Sequence, residues 1–392
     1  MKVALLVLTT VSACAARNFT GLQAASNCLG LRLLSVLPRS PAPNVFYSPY
    51  SLSAAMGMVY AVSRGTTQEE LYNTLGYRSA HIPKDRVLEE HITYSKNVLA
   101  PSNSTVSTAN AVVISESLQC FGAYVDTLKR AFDARVLCID FDKNGSTVVD
   151  RINRWVSHQT RGNIKNLLKS PFPRSSKLVL LNIIYFKGIW QTQFKKSETM
   201  KLPFFNDGKT PVLVDMMCGR INTSHGYSEK LSSAILDLPF QGGDYSMTII
   251  LPSRRTGVKK LRRLSLGSLQ AALEIMVRRV VKVYLPRFKF ETKYLLSGAL
   301  AKLGLRRIFD PRRADLSGIA GGRRRRLHVD EVVHRAVIRV DETGGTAAAA
   351  TATMLRKSHS IVRVFRAHHP FLFLIRKRSD NSILFVGEVN RL

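Results

Sequence analysis

Leu22, Ala25, Leu29, Leu33 and Val36 recur at spacings of three or four, the period of one helix face. This predicts a helix that stops at Pro38, Pro41 and Pro43. Ser48-Pro49 reads as a helix start, with Ser48 capping and Pro49 at the first helical position. Gly65-Thr66-Thr67 opens another, with Glu70 three residues after Thr67 as in a capping box. Val106–Ile114 mixes small, polar and β-branched residues, as strands do, and helical segments are expected through much of Phe121–Leu168. The run Lys177–Phe186 is almost continuously apolar, the pattern of a strand buried on both faces. Ser246–Leu251, Val280–Leu285 and Val332–Val340 read as further strands, with a helix over Tyr294–Leu303. Phe371–Ile375 and Ile383–Val389 form a hairpin around Ser379-Asp380-Asn381.

The tract from Thr343 to Thr353, Thr-Gly-Gly-Thr-Ala-Ala-Ala-Ala-Thr-Ala-Thr, departs from every other segment, and no charge appears before Arg356. Taken alone it could be a flexible linker. It follows Val332–Val340 directly, however, and under two-residue alternation Gly345, Ala347, Ala349, Thr351, Thr353 and Leu355 would share one strand face.

The chain has 392 residues, 45% of them apolar and 22% charged, enough for a large core. No apolar run reaches the roughly 18 residues of a membrane span. Lys2, the apolar Val3–Val11 and Ala13-Cys14-Ala15 form a secretory leader pattern, with cleavage expected near residue 15. One domain over 16–392 follows. Glycosylation sequons at Asn18, Asn103, Asn144 and Asn222 agree with an extracellular destination. Cys28, Cys120, Cys138 and Cys218 would remain, allowing two disulfides in any of three pairings, or buried thiols.

Net charge is +31, and residues 251–392 carry 31 basic against 10 acidic residues. Such a surface attracts polyanions. Secretion turns the expectation away from nucleic acid and towards heparin-like glycosaminoglycan. The densest run is Arg323, Arg324, Arg325 and Arg326, and a second cluster spans Arg254-Arg255, Lys259-Lys260 and Arg262-Arg263.

Catalytic motifs are missing. Gly208-Lys209-Thr210 lacks the upstream glycine of a phosphate loop, since Pro203 stands there. There is no G-x-S-x-G elbow, G-x-G-x-x-G turn or H-E-x-x-H helix. His328, His334 and His368-His369 have no metal-ligand spacing, and His334 reads as a buried hydrogen-bonding residue. No enzyme, cofactor or metal is expected.

Six segments, in order, resemble the serpins, the serine protease inhibitor superfamily. Asn44-Val-Phe-Tyr-Ser-Pro-Tyr-Ser-Leu-Ser resembles N-V-x-x-S-P-x-S-x-S, and Asn182 to Trp190 resembles N-x-I-Y-F-K-G-x-W, with Phe194 and Thr199 following. Leu285-Pro-Arg-Phe-Lys-Phe, Ala314-Asp-Leu-Ser-Gly-Ile, His369-Pro-Phe-Leu-Phe-Leu-Ile and Ser382-Ile-Leu-Phe-Val-Gly-Glu-Val-Asn complete the set.

The resemblance implies an α+β fold with three β-sheets, about nine helices and an exposed reactive-centre loop near 342–365. It implies a monomeric suicide inhibitor whose cleaved loop inserts into the main sheet. The hinge would be Glu342, Gly344, Gly345, Thr346, Ala347, Ala348, Ala349, Ala350 and Thr351. Gly345 and Thr346 stand where the family usually has Thr or Ser, and Glu. Ser48, Ser51, Asn182 and His334 resemble the polar cluster where the sheet parts. Trp190 would top the opening, and Arg287 would pair with Glu342. Counting from Glu342 puts the scissile bond after Ser358, or one or two residues earlier after Lys357 or Arg356. Arg356-Lys357 favours a trypsin-like target, and Ser358 would suit an elastase-like one.

Overall fold

The computed structural model describes residues 20–38, 44–99, 105–118, 122–141, 145–319, 327–344 and 362–392. Among them are nine α-helices: α1 Gly21–Val36, α2 Pro49–Val62, α3 Gly65–Thr74, α4 Val87–Val98, α5 Gly122–Phe132, α6 Gly145–Gln159, α7 Val258–Leu261, α8 Leu266–Glu274 and α9 Ser297–Leu303. The strands are β1 Val45–Tyr47, β2 Thr105–Ser115, β3 Ala134–Ile139, β4 Leu178–Lys187, β5 Met200–Asn206, β6 Thr210–Ser228 and β7 Ser233–Pro239. They continue as β8 Tyr245–Pro252, β9 Val277–Pro286, β10 Phe288–Leu295, β11 Glu331–Val340, β12 Arg363–Arg366, β13 Phe371–Lys377 and β14 Ile383–Val389.

Five strands form one sheet in the order β10-β11-β4-β2-β3. Its centre is the pair β11 and β4, which run parallel, with β10 antiparallel outside β11 and β2 antiparallel outside β4. Both faces are covered, as the apolar run in β4 predicts. Ala109, Ala111, Val113, Val179, Leu181 and Ile183 turn to a smaller core with Ile152 and Val156 of α6. The alternate residues Val112, Leu178, Leu180, Ile184 and Phe186 turn to the main core, shared with α1, α2 and the second sheet.

The second sheet has nine strands. Its 19-residue strand β6 pairs with β5 and β9, then with β7, and so ties β5-β6-β9-β12 to β7-β8-β13-β14-β1. The two groups, which would otherwise stand as separate sheets, are joined through β6, and the described strands trace two hydrogen-bonded networks. The overall class remains α+β.

Local readings differ at definite places. The stretch Phe121–Leu168 is interrupted by β3, which pairs parallel with β2 because Val136 and Ile139 gain sheet partners there. Tyr294 and Leu295 finish β10, and the helix begins at Ser297. Thr67 and Glu70 form no capping box: Thr67 Oγ1 accepts from Asp315 N, and Glu70 Oε1 accepts from the backbone of Arg306 and Arg307. Cys28 is disulfide-bonded, with its partner outside the described residues, while Cys138 and Cys218 are free.

Arg262 is not part of a surface cluster. It is buried, with Nε 2.7 Å from Glu388 Oε2 on β14 and Nη1 donating to Leu37 O at the end of α1. Arg262→Met should cost about 3–5 kcal/mol, because it leaves a buried carboxylate unpaired. Arg262→Met with Glu388→Leu should recover most of that loss. Urea unfolding midpoints of the three chains check this, and a double variant as unstable as the single one would show that the pair itself supplies the stability.

Candidate functional site

Three polar residues lie in register across the centre of the five-stranded sheet. His334 of β11 is opposite Asn182 of β4, and Asn182 is opposite Asn110 of β2. All three are buried. The N-terminus of α2 lies against this row. Ser48 caps the helix by accepting the N–H of Ser51, and Pro49 takes the first helical position.

The hydrogen bonds determine the histidine's tautomer. Ser48 N–H donates to His334 Nε2 at 3.2 Å, so the ring proton sits on Nδ1. Nδ1 then donates to Asn182 Oδ1 at 2.6 Å. Asn182 Nδ2 donates to Asn110 Oδ1 at 2.8 Å and to the carbonyl and hydroxyl of Ser51. Asn110 Nδ2 reaches Phe132 O at 3.3 Å. Burial pushes the pKa of His334 down to about 3, and the bond with Asn182 opposes this only in part. A neutral, enclosed imidazole of this kind is unsuited to acid–base chemistry on a bound substrate. Its bonds instead cross the line between β11 and β4.

A second set of contacts clamps the upper end of the same line. After Val340, the backbone turns through Asp341–Gly344, closed by Gly344 N–H to Asp341 O. The segment following β4 holds this turn. Trp190 N–H donates to Thr343 O, Phe194 N–H to Glu342 O, and the Trp190 indole to Asp341 O at 2.8 Å. The buried Glu342 carboxylate accepts from Thr199 Oγ1 at 2.8 Å and faces Arg287 Nε at 3.6 Å. Gly344 has φ +90°, and a Cβ there would lie 2.4 Å from Gly188 O, so only glycine fits.

Ser48, Ser51, Asn182 and His334 thus meet in one cluster, while Trp190, Arg287, Glu342 and Gly344 gather at the clamp. Asn110 and Asp341 belong to these sets but were not singled out from sequence. The signal for Asn110 is an amide within the apolar strand pattern Ala109-Asn110-Ala111, the same signal that Asn182 gives. Asn222 is exposed on β6. Gly345, Thr346, Ala347, Ala348, Ala349, Ala350, Thr351, Arg356, Lys357 and Ser358 lie outside the described residues. So do the leader, Asn18, Asn103, Asn144 and Arg323–Arg326. Among the described residues, no group of three His, Cys, Asp or Glu side chains could hold a metal ion. No helix there is long and apolar enough to cross a membrane.

His91 on α4, bonded to Tyr77 Oη at 2.9 Å, is also held down to about 3 by burial. Both histidines have folded pKa values below their unfolded value of 6.5. The unfolded chain therefore binds more protons between these limits. Stability should be full above pH 6.5 and fall as pH drops, by up to about 1.4 kcal/mol per pH unit for each histidine. Denaturant midpoints between pH 7 and 4 should show this slope, and His334→Gln should flatten it by one histidine's share. An unchanged slope in that variant would contradict the buried neutral state of His334.

Known proteins are similar to this chain over most of its length. The profile described as Serpin (serine protease inhibitor) matches residues 24–392. Iripin-3 of Ixodes ricinus is 43% identical over 396 residues, covering 100% of each chain. The leukocyte elastase inhibitor of Homo sapiens is 35% identical over 367 residues, covering 90% of this chain and 94% of its own. The crystal structure of mouse protein-Z dependent protease inhibitor matches with a TM-score of 0.85 at 26% identity, over 94% of this chain and 96% of that one. On this match along almost its whole length, the chain that carries the polar seam and the clamped turn belongs to the serpin family of serine protease inhibitors.

Proposed function

We propose that the protein is a secreted suicide inhibitor of trypsin-like serine proteases, with the loop at about 342–365 as bait. The observation that carries this reading is the parallel pair β11–β4, continuous at its upper end with the small, uncharged tract 343–355. A strand that turns back after β11 would run antiparallel to both members of the pair. It would replace one parallel ladder by two antiparallel ones, the slightly more stable arrangement per residue. About a dozen new hydrogen bonds at roughly 1 kcal/mol each would match a whole domain's stability.

The protease serine attacks the carbonyl carbon of Arg356 or Lys357. A C–O bond forms, the C–N bond breaks, and the proton passes to the leaving amine. For the freed tract to enter the sheet, the bond between His334 and Asn182 must open. The contacts of Trp190, Phe194 and Thr199 with residues 341–343 must also release. Ala347, Ala349, Thr351 and Thr353 would then face the core without burying charge. Gly345 weakens strand formation by roughly 0.5–1 kcal/mol and would slow the first step. Arg356 and Lys357 suit an acidic specificity pocket. The relative named leukocyte elastase inhibitor supports a second reading, cleavage after Ser358 by an elastase-like enzyme. Cys28 in a disulfide supports an oxidising destination, and the exposure of Asn222 suits a glycan acceptor. The run Arg323–Arg326 is proposed as a contact for heparin-like polyanion.

Mixing with trypsin or elastase should give a covalent, detergent-stable band near the summed mass. Mass spectrometry of the released peptide would identify the bond. Ala349→Arg should be cleaved as fast but leave at least tenfold less complex, with unchanged stability, because the guanidinium cannot enter the core face. Cleavage without any complex by both classes of enzyme would remove the inhibitory reading.

A further inference from the structure

The strands β6, β9 and β12 lie side by side in the nine-stranded sheet. From Cys218 to the end of β6, and throughout β9 and β12, there is no Asp or Glu. Two-residue alternation sends Val281 and Val283 of β9 into the core, together with Phe365 of β12. The opposite face carries Arg278 and Lys282 from β9. The register sets Arg220 of β6 directly across from Lys282, and Arg366 of β12 across from Tyr284. Arg366 lies 4.7 Å from the centre of the Tyr284 ring and Lys282 Nζ lies 5.4 Å from it. The aromatic face thus steadies two cations.

Among the described residues, none of these four cations has an ion-pair partner. Two buried arginines elsewhere do have carboxylate partners, Arg262 with Glu388 and Arg376 with Asp237. Like charges directly opposite, as in Arg220 and Lys282, destabilise a sheet. An anionic partner would relieve that repulsion.

The position of this face indicates which partner. β12 begins at Arg363, five to seven residues after the candidate bonds at Ser358, Lys357 and Arg356. That length of chain reaches at most about 25 Å. A protease domain is on the order of 40 Å across. An enzyme seated on any of those bonds would therefore have its body within reach of β12 and the strands beside it. We propose that the exposed face of β6, β9 and β12 is a docking surface for an acidic patch on the attacking protease, next to that enzyme's active site. This rests on the loop at about 342–365 being the bait. The face would steer the encounter and select among proteases that share one cleavage specificity. Asn222 is exposed on the same face, opposite Val280, where a glycan would screen it.

The test uses anionic and cationic trypsin, two enzymes of one specificity and opposite surface charge, each with its active-site serine replaced by alanine. Binding is then read without cleavage or trapping. Asn222→Gln is present in every chain to keep the face bare. The parent should bind anionic trypsin about tenfold more tightly than cationic trypsin at low salt, with the difference vanishing near 0.5 M salt. Arg220→Ser, Arg278→Ser, Lys282→Ser and Arg366→Ser together should abolish the difference. Arg254→Ser, Arg255→Ser, Lys259→Ser and Lys260→Ser, an equal loss of charge elsewhere, should leave it. Equal loss in both variants would overturn the proposal in favour of diffuse charge. A trypsin preference that survives in the face variant, while its heparin binding disappears, would overturn it in favour of a polysaccharide site. Failure of the parent to bind either trypsin would remove the trypsin-like reading, and this docking surface with it.

Discussion

The hydrogen bond between His334 and Asn182 is the constraint on which the rest of the molecule depends. It joins two parallel strands at the middle of a sheet whose faces are both buried, and it ties them to the start of α2 through Ser48 and Ser51. An apolar pair at these positions would pack the strands with no directional bond between their side chains. A polar pair in a dry core holds firmly while every donor has an acceptor, and becomes costly once one partner is lost. Those bonds can also be remade with other partners, which suits a line that must both hold and part. The clamp at Asp341–Gly344 closes the upper end of the same line. The two sets of contacts add to the backbone ladder between β11 and β4 at two points along the line.

Much of this could be read from sequence because it depends on local pattern. The unbroken apolar run of β4 signals burial on both faces, and an amide or imidazole within such a run signals an internal partner. Glu342 and Gly344 stand out for similar reasons, since a charge and a flexible residue both end a strand. What could not be read depends on distant residues. β6 contains Pro211, Gly219, Asn222 and Gly226 and follows no clean two-residue pattern, because its environment changes as its neighbours change from β5 to β9 to β7. Thr67 and Glu70 have the spacing of a local cap, but their partners are the backbone groups of residues 306, 307 and 315. Arg262 lies in a basic run, and only the fold brings Glu388 to it.

The two buried arginine–carboxylate pairs show how a chain of such high positive charge keeps a dry core. Each pair ends on a strand of the nine-stranded sheet: Arg376 and Asp237 join β13 to β7 with help from Thr248, and Glu388 of β14 receives Arg262. Few acidic residues are available, and the fold commits some of them to interior sites. The outer faces are left with an excess of cations, and one group of them lies where β6, β9 and β12 run side by side.

The strands on either side of the proposed bait lie in different sheets, β11 in the five-stranded sheet and β12 at the edge of the nine-stranded one. On that reading, a cut between them would leave an acyl end attached to β11 and an amine end attached to β12. If the first then entered its sheet, the local concentration of the amine around the acyl group would fall towards zero. Two groups that cannot span the gap between them do not meet. Resealing of the peptide bond would then be prevented by geometry, and the cleavage would run in one direction without any chemical trap for the amine.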